Sequence, residues 1–222
     1  MKLLVVDLLS ERYGFGKQGV LNIINELHPD QVFLWAPHTN EHLDYGIGHR
    51  IEEPCEADMI IITGSRRNVS SWEPWMDLVA NVIRGSRVPM FGICFGHQII
   101  AAALGGIVQR APEPTEKVER IMFADGSEVH GLFSHQDHVI SSGEMLNIAV
   151  SESCRHVVHV HPTRPIFSVQ FHPETDEKAL DIAVLRGEMT TEERQQYTFE
   201  FQPMSLAEFL STDLEHVRHM AS

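Results

Sequence analysis

The chain has 222 residues, 43% hydrophobic and 22% charged, which supports one sizeable core and excludes a wholly disordered or fibrous protein. Seventeen Lys and Arg against thirty-one Asp and Glu leave a formal net charge of −14, which argues against a nucleic-acid partner. Three cysteines without a CxxC pair make no disulfide framework and point to a reducing, cytoplasmic compartment, and no apolar run is long enough to span a membrane.

Leu3–Val6 is apolar on both faces and stops at Asp7, which predicts a central parallel strand covered by helices. A loop carrying Gly14, Gly16 and Gly19 leads to a helix with Val20, Ile23, Ile24 and Leu27 on one face. Gln31–Trp35 predicts a second strand, and Pro37–Glu56 is a polar excursion without a period. Asp58–Thr63 is the next buried strand, stopped by Gly64, and Ser65–Ser71 is a polar loop. Glu73–Ile83 predicts a helix with Pro74 in its first turn, Val88–Ile93 a strand, and Gly96–Leu104 a helix ended by Gly105–Gly106.

The second half changes character. Gly106–Arg110, Val118–Phe123, Asn147–Val150, Arg155–Val160 and Ile166–Phe171 predict short, partly antiparallel strands separated by turns. Thr175–Arg186 predicts a helix stopped by Gly187. We therefore expect a catalytic body over 1–187 and an extension over 188–222. Ser205 and Glu208 have capping-box spacing, and Leu206, Phe209, Leu210, Leu214 and Val217 predict a helix docked on the body.

Met90–Gln98 carries the chemistry. An apolar strand runs into Gly92–Ile93–Cys94–Phe95–Gly96 and then into a helix, a nucleophile elbow with sulfur in place of oxygen. The two glycines leave room for the reversal, which lifts Cys94 above the sheet edge and turns the Phe95 N–H toward a developing oxyanion. The helix start favours a thiolate at Cys94. Cys55, among acids, and Cys154 are expected in surface or packing roles.

A cysteine nucleophile needs a base, and the base an orienting group. Val169–Glu174 supplies both: a strand delivers His172, and Glu174 follows two residues on to hold the far imidazole nitrogen. The strand ending at Thr63–Gly64–Ser65 offers a second oxyanion donor from Gly64 or Ser65, or is an ordinary strand-end turn.

These segments resemble the class I glutamine amidotransferase family. Gly92–Gln98 with Ala103–Gly106 is similar to its nucleophile segment, Gln170–Glu174 to its His/Glu segment, Ser134–Asp137 to the Ser-His-x-Asp loop of the GMP-synthase-type branch, and Thr63–Ser65 to that branch's oxyanion strand end. The γ-glutamyl peptidase-like members are also similar. The resemblance spans Leu3 to about Leu185. It implies a flavodoxin-like α/β fold, an open, mostly parallel sheet with helices on both faces and additional antiparallel strands.

The resemblance also implies cleavage of glutamine or a γ-glutamyl amide through a γ-glutamyl thioester on Cys94, with His172 as base, Glu174 behind it, and Gly64, Ser65 and Phe95 as the oxyanion hole. Gln98, Ser134, His135 and Gln136 would contact the substrate. No cofactor or metal is implied, and ammonia would pass to a separate synthetase if it is transferred. The alternatives are a stand-alone γ-glutamyl peptidase or γ-glutamyl-polyamine hydrolase, for which an acidic entrance would suit a cationic leaving amine, and a non-catalytic module on the same fold. The sequence leaves the oligomeric state open.

Other features carry less. Gly14–Phe15–Gly16–Lys17 lacks the spacing of a phosphate loop. Arg66 and Arg67 either meet a substrate carboxylate or pair with surface acids. Trp72 and Trp75 pack a helix or wall a pocket. Among fourteen histidines, His156 and His159 would face opposite sides of one strand, and no zinc spacing is complete.

Overall fold

The computed structural model describes residues 1–197, 203–205 and 208. Strand β1 (Lys2–Val6) shows why the opening run has no polar alternation. Leu3 and Val5 enter one apolar cluster with Val20 and Ile23 of helix α1 (Gly19–Leu27). Leu4 and Val6 enter another, with Met76, Val79 and Ile83 of α2 (Pro74–Gly85) and Ile99 and Ile100 of α3 (Phe95–Ala103). All four strand residues are fully buried, each worth about 1.5–3 kcal/mol of transfer free energy.

The remaining strands are β2 (Gln31–Trp35), β3 (His49–Ile51), β4 (Met59–Ile62), β5 (Met90–Ile93), β6 (Ile107–Phe123), β7 (Glu128–Ser141), β8 (Leu146–Ser151), β9 (Val158–Val160) and β10 (Ile166–Val169). Among the described residues they form one sheet in the order β3-β2-β1-β4-β5-β10-β9-β8-β6-β7. From β3 to β10 every pairing is parallel, and from β10 to β7 every pairing is antiparallel. This is the expected α/β architecture, an open, mostly parallel sheet with helices on both faces and an antiparallel extension.

Several elements differ from expectation. The glycine-bearing stretch is not an open loop but a π-helical segment, Tyr13–Gln18, packed on α4 (Glu177–Leu185). The polar excursion contains β3. The two strands expected at Gly106–Arg110 and Val118–Phe123 are one strand, β6, interrupted by an irregularity between Arg110 and Thr115. Pro112 and Pro114 cannot donate to a ladder there, and the Gln136 amide donates to the carbonyls of Ala111 (2.9 Å) and Pro112 (3.2 Å) instead.

Ser134–Asp137, expected in a loop, lies inside β7. Its polar residues obscured the strand because part of β7 lines a cavity rather than apolar core. A further short helix, α5 (Thr191–Gln196), is capped by Thr190, whose hydroxyl accepts from the Glu193 N–H (3.1 Å). Ser205 and Glu208 exchange capping-box hydrogen bonds, while the docked helix expected after them lies outside the described residues. No helix among the described residues is long and apolar enough to cross a membrane.

Candidate active site

Strands β4, β5 and β10 are parallel neighbours with β5 in the middle. Their carboxyl ends therefore open on one edge, where an open α/β sheet binds its ligands. Gly64, Cys94 and His172 follow those three strands, so the turn and the histidine flank the cysteine.

Cys94 makes the reversal from β5 to α3 in a single residue, at φ 52° and ψ −102°. A non-glycine residue adopts that region only where its surroundings impose it. The imposition comes from the expected glycines. A Cβ on Gly96 would lie 2.1 Å from the Ile62 carbonyl oxygen, and one on Gly92 2.5 Å from Ile100 Cδ1. Phe95 opens α3, so its N–H has no acceptor within the helix. Trp75 stacks on the Phe95 ring at 5.7 Å, a packing role, while Trp72 donates to Asp77 (3.1 Å) on the surface.

The His172 N–H is fixed on the Leu132 carbonyl (2.8 Å). Its ring Nδ1 lies 2.8 Å from Glu174 Oε1, and the ring lines the same cavity as Cys94. Burial disfavours the imidazolium, but the neighbouring Glu174 and Cys94 outweigh it, and the pKa rises well above the ordinary histidine value. Gly64 packs tightly here: a Cβ on it would meet His172 Cε1 at 3.0 Å and Cys94 Cβ at 3.8 Å. The Gly64 and Ser65 N–H groups lie beyond the ladder of β4, which ends at Ile62.

Cys94 and His172 share a cavity of about 330 Å³ with Ser65, Phe95, Gln98, Ser134, His135 and Gln136, so nearly every residue expected at the site reaches it. Their polar groups are partly engaged. Gln98 Nε2 donates to the Asp137 carbonyl (2.8 Å) and to Gln170 Oε1 (3.1 Å). The Ser134 carbonyl accepts from Cys94 Sγ (3.6 Å). His135 Nδ1 lies 3.0 Å from the Asp137 carbonyl and therefore carries the proton. Burial, then His138, pulls the His135 pKa down to about 3, so this ring is neutral. Gln136 is committed to the β6 irregularity and to Arg110.

The cavity lining is mixed in charge: Arg12, Arg66, Arg67 and Arg110 stand with Glu116, Asp137, Glu188 and Glu193. Arg67 lies 3.9 Å from Glu73.

Sequence reasoning missed three contributors. Phe15 presents its ring to His172 at 4.9 Å and 74°; an aromatic residue between two glycines was the available signal. Arg110 hydrogen-bonds Asn68 and Gln136. Ser70 donates its N–H and its hydroxyl to the Asp137 carboxylate, each at 2.8 Å.

His97, which follows the elbow, is fully buried, with Nδ1 2.9 Å from Ser168 Oγ and Nε2 3.1 Å from the His156 carbonyl. Burial drives its pKa to about 3. His156 and His159 do not oppose each other on one strand: β9 begins only at Val158, so His156 precedes it, its Nδ1 3.1 Å from His159 Nε2. Among the described residues no group of three metal-ligating side chains gathers, and all three cysteines are free.

The family model of class I glutamine amidotransferases matches residues 21–191. One subunit of the glutamine-hydrolysing GMP synthase of Saccharolobus solfataricus is 32% identical over 146 residues, 62% of this chain and 78% of that protein. The corresponding subunit of Methanococcus aeolicus GMP synthase is 34% identical over 151 residues, 62% of this chain and 75% of that protein. Among solved structures, a glutamine amidotransferase from Thermotoga maritima superposes with a TM-score of 0.66 at 17% identity, covering 99% of this chain and 93% of that one. Another from Methylobacillus flagellatus gives 0.64 at 19%, covering 100% and 90%. At these identities the structures speak for the fold.

Proposed function

The chain belongs to the class I glutamine amidotransferase family, and we propose that it hydrolyses the side-chain amide of glutamine and supplies the ammonia to a separate synthetase subunit. The observation that carries this reading is Cys94 and His172 on one cavity of about 330 Å³, a size that suits a small ligand, with Glu174 Oε1 2.8 Å from His172 Nδ1. The relatives are each one subunit of a glutamine-hydrolysing GMP synthase, which supports an ammonia acceptor on a second polypeptide.

In the proposed reaction His172 holds the proton taken from Cys94. The Cys94 thiolate attacks the side-chain carbonyl carbon, and the N–H groups of Phe95 and of Gly64 or Ser65 receive the oxyanion. His172 gives its proton to the leaving nitrogen, and ammonia departs as the thioester forms. The neutral ring then takes a proton from water, hydroxide attacks the thioester, and glutamate leaves as His172 returns the proton to Cys94. Glu174 keeps the imidazole oriented and steadies its charged form throughout.

A second reading, hydrolysis of γ-glutamyl peptides, draws on Arg66 and Arg110 in the cavity lining, which suit a leaving group that bears a carboxylate. Purified protein incubated with glutamine, a γ-glutamyl amino acid and a γ-glutamyl polyamine, followed by intact-mass detection of an acyl group on Cys94, tests both. Glutamine turnover that vanishes in Cys94→Ala supports the first reading. Undiminished turnover in Cys94→Ala overturns both.

A further inference from the structure

We infer that Asp137 is a positioning residue that holds the oxyanion turn over Cys94, an inference that rests on the proposed hydrolysis. The turn begins at Gly64, just past the end of β4, and the chain returns to a regular element only at Pro74. Three ties fix the intervening loop. Val69 is buried in the apolar cluster with Phe95 and Met76. Asn68 accepts from Arg110. Ser70 donates both its N–H and its hydroxyl to Asp137, each at 2.8 Å.

The last tie is the most demanding. Asp137 is 2% exposed, so its carboxylate depends on these donors for solvation. Arg110 stands 3.9 Å away and is half-exposed, a weaker neighbour. A charged acceptor for an N–H and an O–H from one residue fixes the loop's direction as well as its distance.

Asp137 also joins the loop to the elbow itself. Its main-chain carbonyl accepts from Gln98, one helical turn after Cys94, and from His135. One residue of β7 thus links both sources of the proposed oxyanion donors: α3, which begins at Phe95, and the loop, which begins at Gly64. A shift in their separation alters stabilisation of the tetrahedral intermediate far more than binding of the planar amide.

The test compares wild type, Asp137→Ala, Asp137→Asn and Ser70→Ala with glutamine as substrate and a γ-glutamyl aldehyde as tetrahedral analogue, alongside hydrogen exchange of residues 65–71. In Asp137→Ala, kcat is expected to fall about 10²-fold with KM within about threefold, and aldehyde affinity to fall in step with kcat/KM. Exchange of residues 65–71 should quicken while β5 keeps its protection.

Asp137→Asn retains an acceptor for the Ser70 N–H and offers its amide to the hydroxyl, so it should recover most of the lost rate. Ser70→Ala, which removes the hydroxyl alone, should show a smaller loss of the same kind and serves if Asp137→Ala does not fold. Unchanged kcat or unchanged loop exchange in a folded variant overturns the inference, as does a loss expressed in KM. Absence of turnover in wild type would instead overturn the proposed function, and loop exchange would still decide the role of Asp137.

Discussion

His172 Nδ1 and Glu174 Oε1 stand 2.8 Å apart, and each side chain belongs to a residue only 3% exposed. A buried carboxylate beside a buried imidazole makes the ring's charge a property of the pair, and the opposite nitrogen is left for Cys94.

Glu174→Gln keeps an oxygen for Nδ1 and removes the charge. Turnover should drop by about 10²-fold or more. The stability consequence follows from the raised His172 pKa. Because folding raises it, protonation of His172 favours the folded state. That contribution is complete below the unfolded value of about 6.5 and is lost as pH rises through the folded value. Urea unfolding across neutral and alkaline pH should show wild type exceeding Glu174→Gln most at the acidic end, with the gap closing upward. A gap that widens with pH would contradict this assignment.

Cys94→Ala and Cys94→Gly separate chemistry from backbone strain. Both should lose more than about 10³-fold in turnover, since the proposed nucleophile is gone. Cys94 sits at φ +52°, where glycine is at ease and alanine is not. The glycine variant should therefore be the more stable of the two by about 1 kcal/mol, despite glycine's greater freedom in the unfolded chain. Equal denaturation midpoints would mean that the elbow is unstrained.

Gly64→Ala probes the close approach beside the proposed oxyanion turn. The added methyl would press on His172 Cε1 at 3.0 Å, and Gly64 is not at positive φ. The expected result is at least a tenfold fall in kcat with a melting temperature within a few degrees of wild type. A large stability loss with kcat preserved would place the methyl elsewhere.

The elbow and the histidine segment were legible because their constraints are local. Gly92, Gly96 and the apolar strand before Cys94 declare a tight reversal, and Phe171–His172–Pro173–Glu174 follows directly on a buried strand. What the sequence hid depends on distant partners. β7 has no clean alternation, because Gly131 makes room for the Phe171 ring and Ser134, His135 and Gln136 face a cavity rather than apolar core. Arg110 reads as a lone surface cation until the β6–β7 register places it opposite Asp137. The mixed charge of the cavity lining could not be read from a net charge of −14, since the arginines there come from three separate segments.

Burial of His97, His135 and His159 makes the fold sensitive to acid. All three are buried, and burial lowers the pKa of each, to about 3 for His97 and His135 and well below 6.5 for His159. A depressed folded pKa means that the unfolded chain binds the extra proton. The stability carried by the neutral ring is therefore whole above about 6.5 and declines as pH falls toward the folded value. Near pH 5 His97 and His135 make unfolding take up about two protons, each steepening the decline by about 1.4 kcal/mol per pH unit, and His159 acts in the same direction. His97→Asn keeps an oxygen near the Nδ1 position for the Ser168 hydroxyl, gives up the bond to the His156 carbonyl, and cannot titrate. Whatever its stability at pH 7, its slope between pH 4.5 and 6 should be shallower than wild type by about one proton. An unchanged slope, measured by denaturant titration at each pH, would show that His97 is already protonated in the folded chain.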